Sequence, residues 1–243
     1  MYQQIIGTSI YLSSIYEELE NSTISVLSTP EIYNIRRIVI IGSGDSFFAA
    51  KAAELSIMKH SKLPVEVRTS LDGGRYHSLL SDRRDIENTL VIALSNSGMT
   101  SRTCEAVIMY KQSGANTLAI TQNASSLLSK ESNNSLILPS SELPIAPNFC
   151  SFICSFLALV LFGLRIGEVR MKETMVKTGE RRKELFRHID DLSLVVKKTI
   201  LQAHELAEKF RKCKYFEFVG PGSNIATADY GAAKILEAVG RHA

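Results

Sequence analysis

Between residues 36 and 140, short aliphatic runs alternate with longer stretches whose apolar positions recur at helical spacing. The runs fall at 37–41 (RIVII), 65–68 (VEVR), 90–94 (LVIAL), 117–120 (TLAI) and 135–138 (SLIL). Short continuous runs of this kind belong to strands covered on both faces, as in a parallel sheet with helices above and below. The pattern therefore predicts an α/β fold, a parallel sheet flanked by helices in a three-layer sandwich. The helix after the first run begins in GSGDSFFAAKAAEL, with its alanines, Leu55 and Met58 spaced for a helix.

Two further patterns flank this unit. Residues 149–164 (FCSFICSFLALVLFGL) hold no charge, yet sixteen residues fall short of the roughly 20 that a spanning helix needs. They read as a helix buried on most sides, at a domain centre or a subunit interface, with a membrane span as the lesser alternative. From 168 to 212 the composition turns charged, with Leu185, Ile189, Leu192, Val196 and Ile200 spaced for a long amphipathic helix. Then YFEFV at 215–219 predicts another strand, and GPGSNIATADYGAAKIL repeats the order strand, G-x-G, polar residue, Ala-rich helix of RIVIIGSGDSFFAAKAAEL. The expected organisation is a helical segment at 1–35, a first unit at 36–166, a connector at 167–212, and at 213–243 the start of a second, incomplete unit. Such a chain reads either as a fragment or truncated relative of a two-domain protein, or as one whose last strand and helix are borrowed by another element.

Charge narrows the partners. With 28 Lys plus Arg against 25 Asp plus Glu, the net charge is +3, and no dense basic cluster stands out, so nucleic acid is not expected as a partner. No secretory signal opens the chain, and four scattered cysteines suit a reducing cytoplasm. Cys150 and Cys154 lie in an apolar run without His or acidic neighbours, which favours buried small side chains over a metal site.

Candidate chemistry gathers at predicted strand ends, the edge where open α/β sheets bind ligands. Gly42-Ser43-Gly44-Asp45-Ser46 follows the first strand, but Phe47 stands where a dinucleotide fingerprint needs its third glycine. Ser95-Asn96-Ser97-Gly98-Met99-Thr100 lies directly between the third strand and a helix. Hydroxyls at a helix N-terminus suit a monophosphate, while plain capping of the helix is the simpler alternative. Polar residues at 121–125 after the fourth strand add to the same edge.

The segments IIGSGDSFFAAK, SLDGGRY, LSNSGMT, SELPIAP and FVGPGSNIATADYGAAKILE resemble the SIS (sugar isomerase) family. They are most similar to its double-SIS members, such as the isomerase half of glutamine:fructose-6-phosphate amidotransferase. The likeness covers about residues 20 to 243, and LSNSGMT, close to the family's phosphate loop, is its most specific part. It implies that Ser46 contacts sugar or phosphate, that Ser95, Asn96, Ser97 and Thr100 cradle the phosphate, and that Ile145 and Ala146 form the sugar-side wall. It also implies that Glu237 shuttles a proton between C1 and C2, with Lys234 beside it as the lysine of the same helix. A surface role for Glu237 weighs equally on the residues alone. Position 2 is Tyr2, where amidotransferases carry their glutaminase cysteine. The chain ends before the family's ring-opening histidine, and Pro147 and Phe149 depart from the usual Ser/Thr-rich stretch.

Two function classes follow from the resemblance. One is an aldose–ketose isomerase, or an amino-sugar phosphate deaminase or deglycase, acting on a hexose 6-phosphate derivative through an enediol or enolamine. The other is a phosphosugar sensor without turnover. Proton transfer beside a carbonyl calls for no cofactor or metal. A sugar phosphate as ligand, a homodimer resting partly on the apolar helix, no membrane partner and a cytoplasmic location complete the expectations.

Overall fold

The computed structural model describes residues 2–80, 83–140 and 148–243. The chain opens with α1 (Tyr2–Ser25) and α2 (Thr29–Asn34). A capping box starts α2: the Ser28 hydroxyl accepts from the Glu31 amide, and the Glu31 carboxylate accepts from the Ser28 amide at 2.8 Å. The α/β unit follows as β1 (Arg37–Gly42), α3 (Asp45–Ser61) and β2 (Val65–Thr69). Next come the short turns α4 (Ser70–Asp72), a π-helical turn at Gly73–His77, α5 (Ser78–Leu80) and α6 (Arg83–Glu87). Then follow β3 (Thr89–Leu94), α7 (Ser101–Gln112), β4 (Asn116–Thr121), α8 (Leu127–Glu131) and β5 (Asn134–Ile137). Three helices close the chain: α9 (Cys150–Val169), α10 (Met175–Lys209) and α11 (Asn224–Val239).

The five strands form one parallel sheet in the order β2-β1-β3-β4-β5. All five lie where the aliphatic runs predicted them, each within a residue or so of the expected ends. Alternation along each strand splits the core into two layers. Ile38, Ile40, Leu90, Ile92, Leu118 and Ile120 face a layer built from α1, α3 and α9. Val39, Ile41, Val91, Ala93 and Ala119 face α7 and α8, through Ala106, Val107, Tyr110 and Leu128. The fold is thus the predicted three-layer sandwich.

The apolar helix α9 sits at the centre of the first layer. Leu159, Leu161, Phe162 and Ile166 are fully buried, and α1, α2, α3 and α10 pack around the helix. It has the length and hydropathy to cross a membrane, yet 78% of its apolar window is buried inside this fold. Of the two places expected for it, the domain centre is the one observed. Its own chain covers most of it, leaving Phe152, Ile153 and Phe156 partly exposed. Cys150 and Cys154 are buried in it, and burial pushes the Cys154 thiol up to about 12, leaving a neutral apolar side chain.

The strand expected at 215–219 is corrected. Residues 215–219 form no strand, and only Tyr215 among them is bridged, to His242. Val219 is 87% exposed. A strand exists only within a ladder, and among the described residues no neighbouring strand lies alongside this one. The helical half of the repeat does form, as α11, and it packs against α3.

Candidate functional site

In a sheet ordered 2-1-3-4-5 the chain direction across the sheet reverses between β1 and β3, and the crevice outside those two strand ends is the ligand position for such folds. Here Gly42, the last residue of β1, pairs with Leu94, the last of β3. The turn 43–46 and the loop 95–100 therefore leave the sheet side by side. These are the two segments whose hydroxyls the sequence singled out.

The loop 95–100 is braced from behind and open in front. Ser95 is buried; its amide donates to the Ile120 carbonyl at 3.1 Å, and its Oγ lies 3.0 Å from Thr100 Oγ1. The Asn96 carbonyl accepts from the Gln122 amide at 3.0 Å and from Thr121 Oγ1 at 3.1 Å, while the Gly98 carbonyl accepts from the Leu128 amide at 3.0 Å. Gly98 has φ +64°, and a Cβ there would run into the side chains of Ser126 and Thr121, so only glycine fits. Part of the polar set at 121–125 is thus used to hold the loop.

Thr100 occupies the N-cap of α7, but its side chain makes no capping bond. Its hydroxyl turns to Ser95 instead. That is the geometry the simple capping alternative does not predict, since a capping threonine accepts from the N2 or N3 amide. Ser97 is exposed, and its Oγ accepts from the Met99 amide at 3.2 Å. The Asn96 Oδ1 atom is buried with no hydrogen-bond partner among the described residues, and an acceptor in that condition is matched by a hydroxyl donor. Three hydroxyls, one orphan acceptor and the start of a helix with a positive dipole end can together receive an anion bearing hydroxyl groups.

The C-terminal residues reach the same edge by way of α3. Lys234 Nζ donates to Asp45 Oδ2 at 2.8 Å and to Glu237 Oε2 at 2.6 Å, and it lies 5.1 Å from the centre of the Tyr230 ring. The Lys234 side chain is 9% exposed, that of Asp45 26% and that of Glu237 52%. Burial opposes the charge on Lys234, but the two carboxylates outweigh it and push its pKa up. Burial pushes the Asp45 carboxyl above its ordinary range, with the ammonium pulling against it. Tyr230 anchors the helix. Its ring stacks on Phe152 at 4.1 Å and meets Phe48 edge-on at 6.2 Å, and its hydroxyl donates to the Asn148 carbonyl at 3.2 Å.

Of the residues singled out from the sequence, Ser95, Asn96, Ser97 and Thr100 share one loop. Ser46, half-buried in the first turn of α3, stands at the neighbouring strand end. Lys234 and Glu237 come together next to it through Asp45. Ile145 and Ala146 lie outside the described residues. Asp45 was not expected to take part. The sequence marks it only as an acidic residue in the G-S-G-D-S turn, and nothing near it points to Lys234.

A model of the SIS domain family matches residues 31–165. The chain belongs to the SIS domain family. Among curated relatives, the glutamine–fructose-6-phosphate aminotransferase [isomerizing] of Thermotoga maritima is 30% identical over 217 residues, covering 86% of this chain and 34% of that protein. Isozyme 2 of the same enzyme from Mus musculus is 29% identical over 218 residues, covering 87% of this chain and 30% of the other. The SIS chain thus spans about a third of the length of these relatives. Among solved structures, the C-terminal domain of glucosamine-fructose-6-phosphate aminotransferase from Francisella tularensis superposes with a TM-score of 0.82 at 22% identity, over 98% of this chain and 68% of that one. Glucosamine-6-phosphate deaminase from Thermotoga maritima gives 0.69 at 17% identity, over 97% and 68%. These superpositions show the same fold, a parallel sheet flanked by helices.

Proposed function

We propose that this SIS protein binds a hexose 6-phosphate derivative at the β1/β3 edge and acts as an aldose–ketose isomerase, or as an amino-sugar phosphate deaminase or deglycase. The observation that carries the reading is the loop 95–100, which is fixed to β4 and α8 from behind while Ser97 and the uncapped start of α7 face outward. The phosphate sits against Ser95, Ser97, Thr100 and the α7 amides, with Asn96 and Ser46 turned to the sugar hydroxyls. Relatives named for work on fructose 6-phosphate and glucosamine 6-phosphate support this substrate class.

For the chemical step, a base removes a proton from one carbon of the open-chain sugar and returns it to the neighbouring carbon through an enediol or enolamine. Glu237 fills that role. Its Oε2 is taken by Lys234, which leaves Oε1 for the travelling proton. Residues 213–243 are, in this reading, the start of a second SIS unit, and a cytoplasmic homodimer is the working form.

Calorimetry with fructose 6-phosphate and with fructose tests the binding half: the phosphorylated sugar binds, and equal affinities overturn the reading. Ser97→Ala should weaken the phosphorylated ligand by about 1 to 3 kcal/mol. Deuterium exchange at C1 or C2 of the bound sugar tests the chemical half. Glu237→Gln should keep binding and lose roughly 10² to 10⁴ in exchange rate. Binding without any exchange in the unmodified chain favours the sensor reading instead.

A further inference from the structure

The contact between Asp45 and Lys234 joins the first strand-end turn to the C-terminal helix, and it is an odd thing to find if stability is its purpose. A buried ion pair often returns less than the desolvation of its members costs. Here that balance shows in Asp45 itself, whose carboxyl is pushed up by burial although an ammonium lies 2.8 Å away. The other partner of Lys234, Glu237, is a half-exposed neighbour on the same helix, where water screens the carboxylate. Asp45 is therefore the group that decides the state of the lysine. It is well placed to do so. As the first residue of α3, after a glycine N-cap at φ +55°, it is locked in position and its charge suits the helix N-terminus.

We propose that Asp45 is a positioning residue that holds Lys234 as an ammonium against Glu237, so that the lysine nitrogen takes no covalent part in the chemistry of the site. An ammonium has three N–H bonds and no lone pair. Two of those bonds are directed into the carboxylates of Asp45 and Glu237, and the nitrogen lies over the Tyr230 ring. Imine formation requires the reverse: a neutral amine whose lone pair attacks a carbonyl carbon, with loss of a proton and then of water. Losing the proton from Lys234 would leave two carboxylates facing one neutral nitrogen. Asp45 thus divides the labour of the site, leaving proton transfer to Glu237 and reserving the lysine as a fixed positive charge. This deepens the proposed function and rests on Glu237 being the working carboxylate, but its test needs no sugar.

The test is the rate at which acetic anhydride acetylates Lys234 in the full chain at pH 8, read by peptide mass spectrometry against the exposed Lys197 and Lys198. In the unmodified protein Lys234 should react at least tenfold more slowly than these two. Asp45→Asn keeps the shape and removes the charge. It should speed acetylation of Lys234 by about tenfold, the effect of one pKa unit, while the melting midpoint stays level or rises. Asp45→Glu should restore protection. If Lys234 stays equally protected in a folded Asp45→Asn variant, burial alone shields it and the proposal is overturned. It is overturned as well if Asp45→Asn lowers the melting midpoint and Asp45→Glu fails to restore protection, because the contact is then structural. Fructose 6-phosphate calorimetry on the same samples reports on the binding reading separately.

Discussion

The first unit and the C-terminal segment hold the residues of the proposed site in different ways. The loop 95–100 is part of a finished sheet: its backbone is bonded to β4 and α8, and Gly98 is wedged against Ser126. Helix α11 has no sheet of its own. It stays in place through Tyr230 in an aromatic pocket, with Lys234 meeting Asp45 across the contact, and the residues before it form no strand. On the proposed function, phosphate binding is a property of the folded first unit and proton transfer depends on a helix that docks onto that unit, so the two should separate under mutation.

The strongest test of that separation is Gly98→Val. A β-branched residue at φ +64° is strained, and its side chain collides with Ser126 and Thr121. The cost should be about 3 kcal/mol or more, with sugar-phosphate binding lost, as seen in a denaturant melt and by calorimetry. Docking of α11 should survive wherever the chain stays folded. Tyr230→Ala is the mirror experiment. Removing a buried aromatic side chain costs about 3 kcal/mol or more, but here the loss should fall on α11 alone. Hydrogen exchange at 224–239 should rise by orders of magnitude while β1, β3 and fructose 6-phosphate binding stay unchanged. Should binding fall with docking, the two halves are one cooperative unit and the contrast is wrong.

The same contrast explains what could be read from the sequence. Aliphatic runs fix strands only where neighbours complete the ladder, so the five strands of the first unit were legible, and the sixth, equally good in composition, was not realised. The 95–100 loop was legible because its chemistry is local: hydroxyls, a glycine and a helix start within six residues. Asp45 was not, since its partner lies 189 positions away and nothing local marks that pair. The apolar α9 was legible as buried, but its pattern could not say by what. A helix wrapped by α1 and α3 and a helix wrapped by a second subunit present the same sequence.

The smallest expected effect is also the one that separates the regions by sign. Burial works against Glu66 and Glu168, yet Arg37 and Arg68 beside the first, and Arg182 and Thr178 beside the second, hold both carboxyls below the ordinary range. A carboxylate with a lowered folded pKa adds stability that is present above its unfolded pKa and lost as pH falls through the folded one. The first unit should therefore weaken between about pH 5 and pH 3, by roughly 1 kcal/mol given how exposed Glu66 is. Asp45 has the opposite shift, raised mainly by burial. Its contribution is fullest below the unfolded pKa and declines as pH rises through the folded value, so acid should favour the docked α11 by a few tenths of a kcal/mol. Hydrogen exchange at pH 3.5 and pH 6, corrected for intrinsic rates, should show protection falling in β1 and β3 while protection in α11, relative to the core, rises slightly. Asp45→Asn should flatten the α11 response and leave that of the core untouched. If α11 follows the core in both proteins, docking carries no proton linkage of its own, and the helix belongs energetically to the first unit.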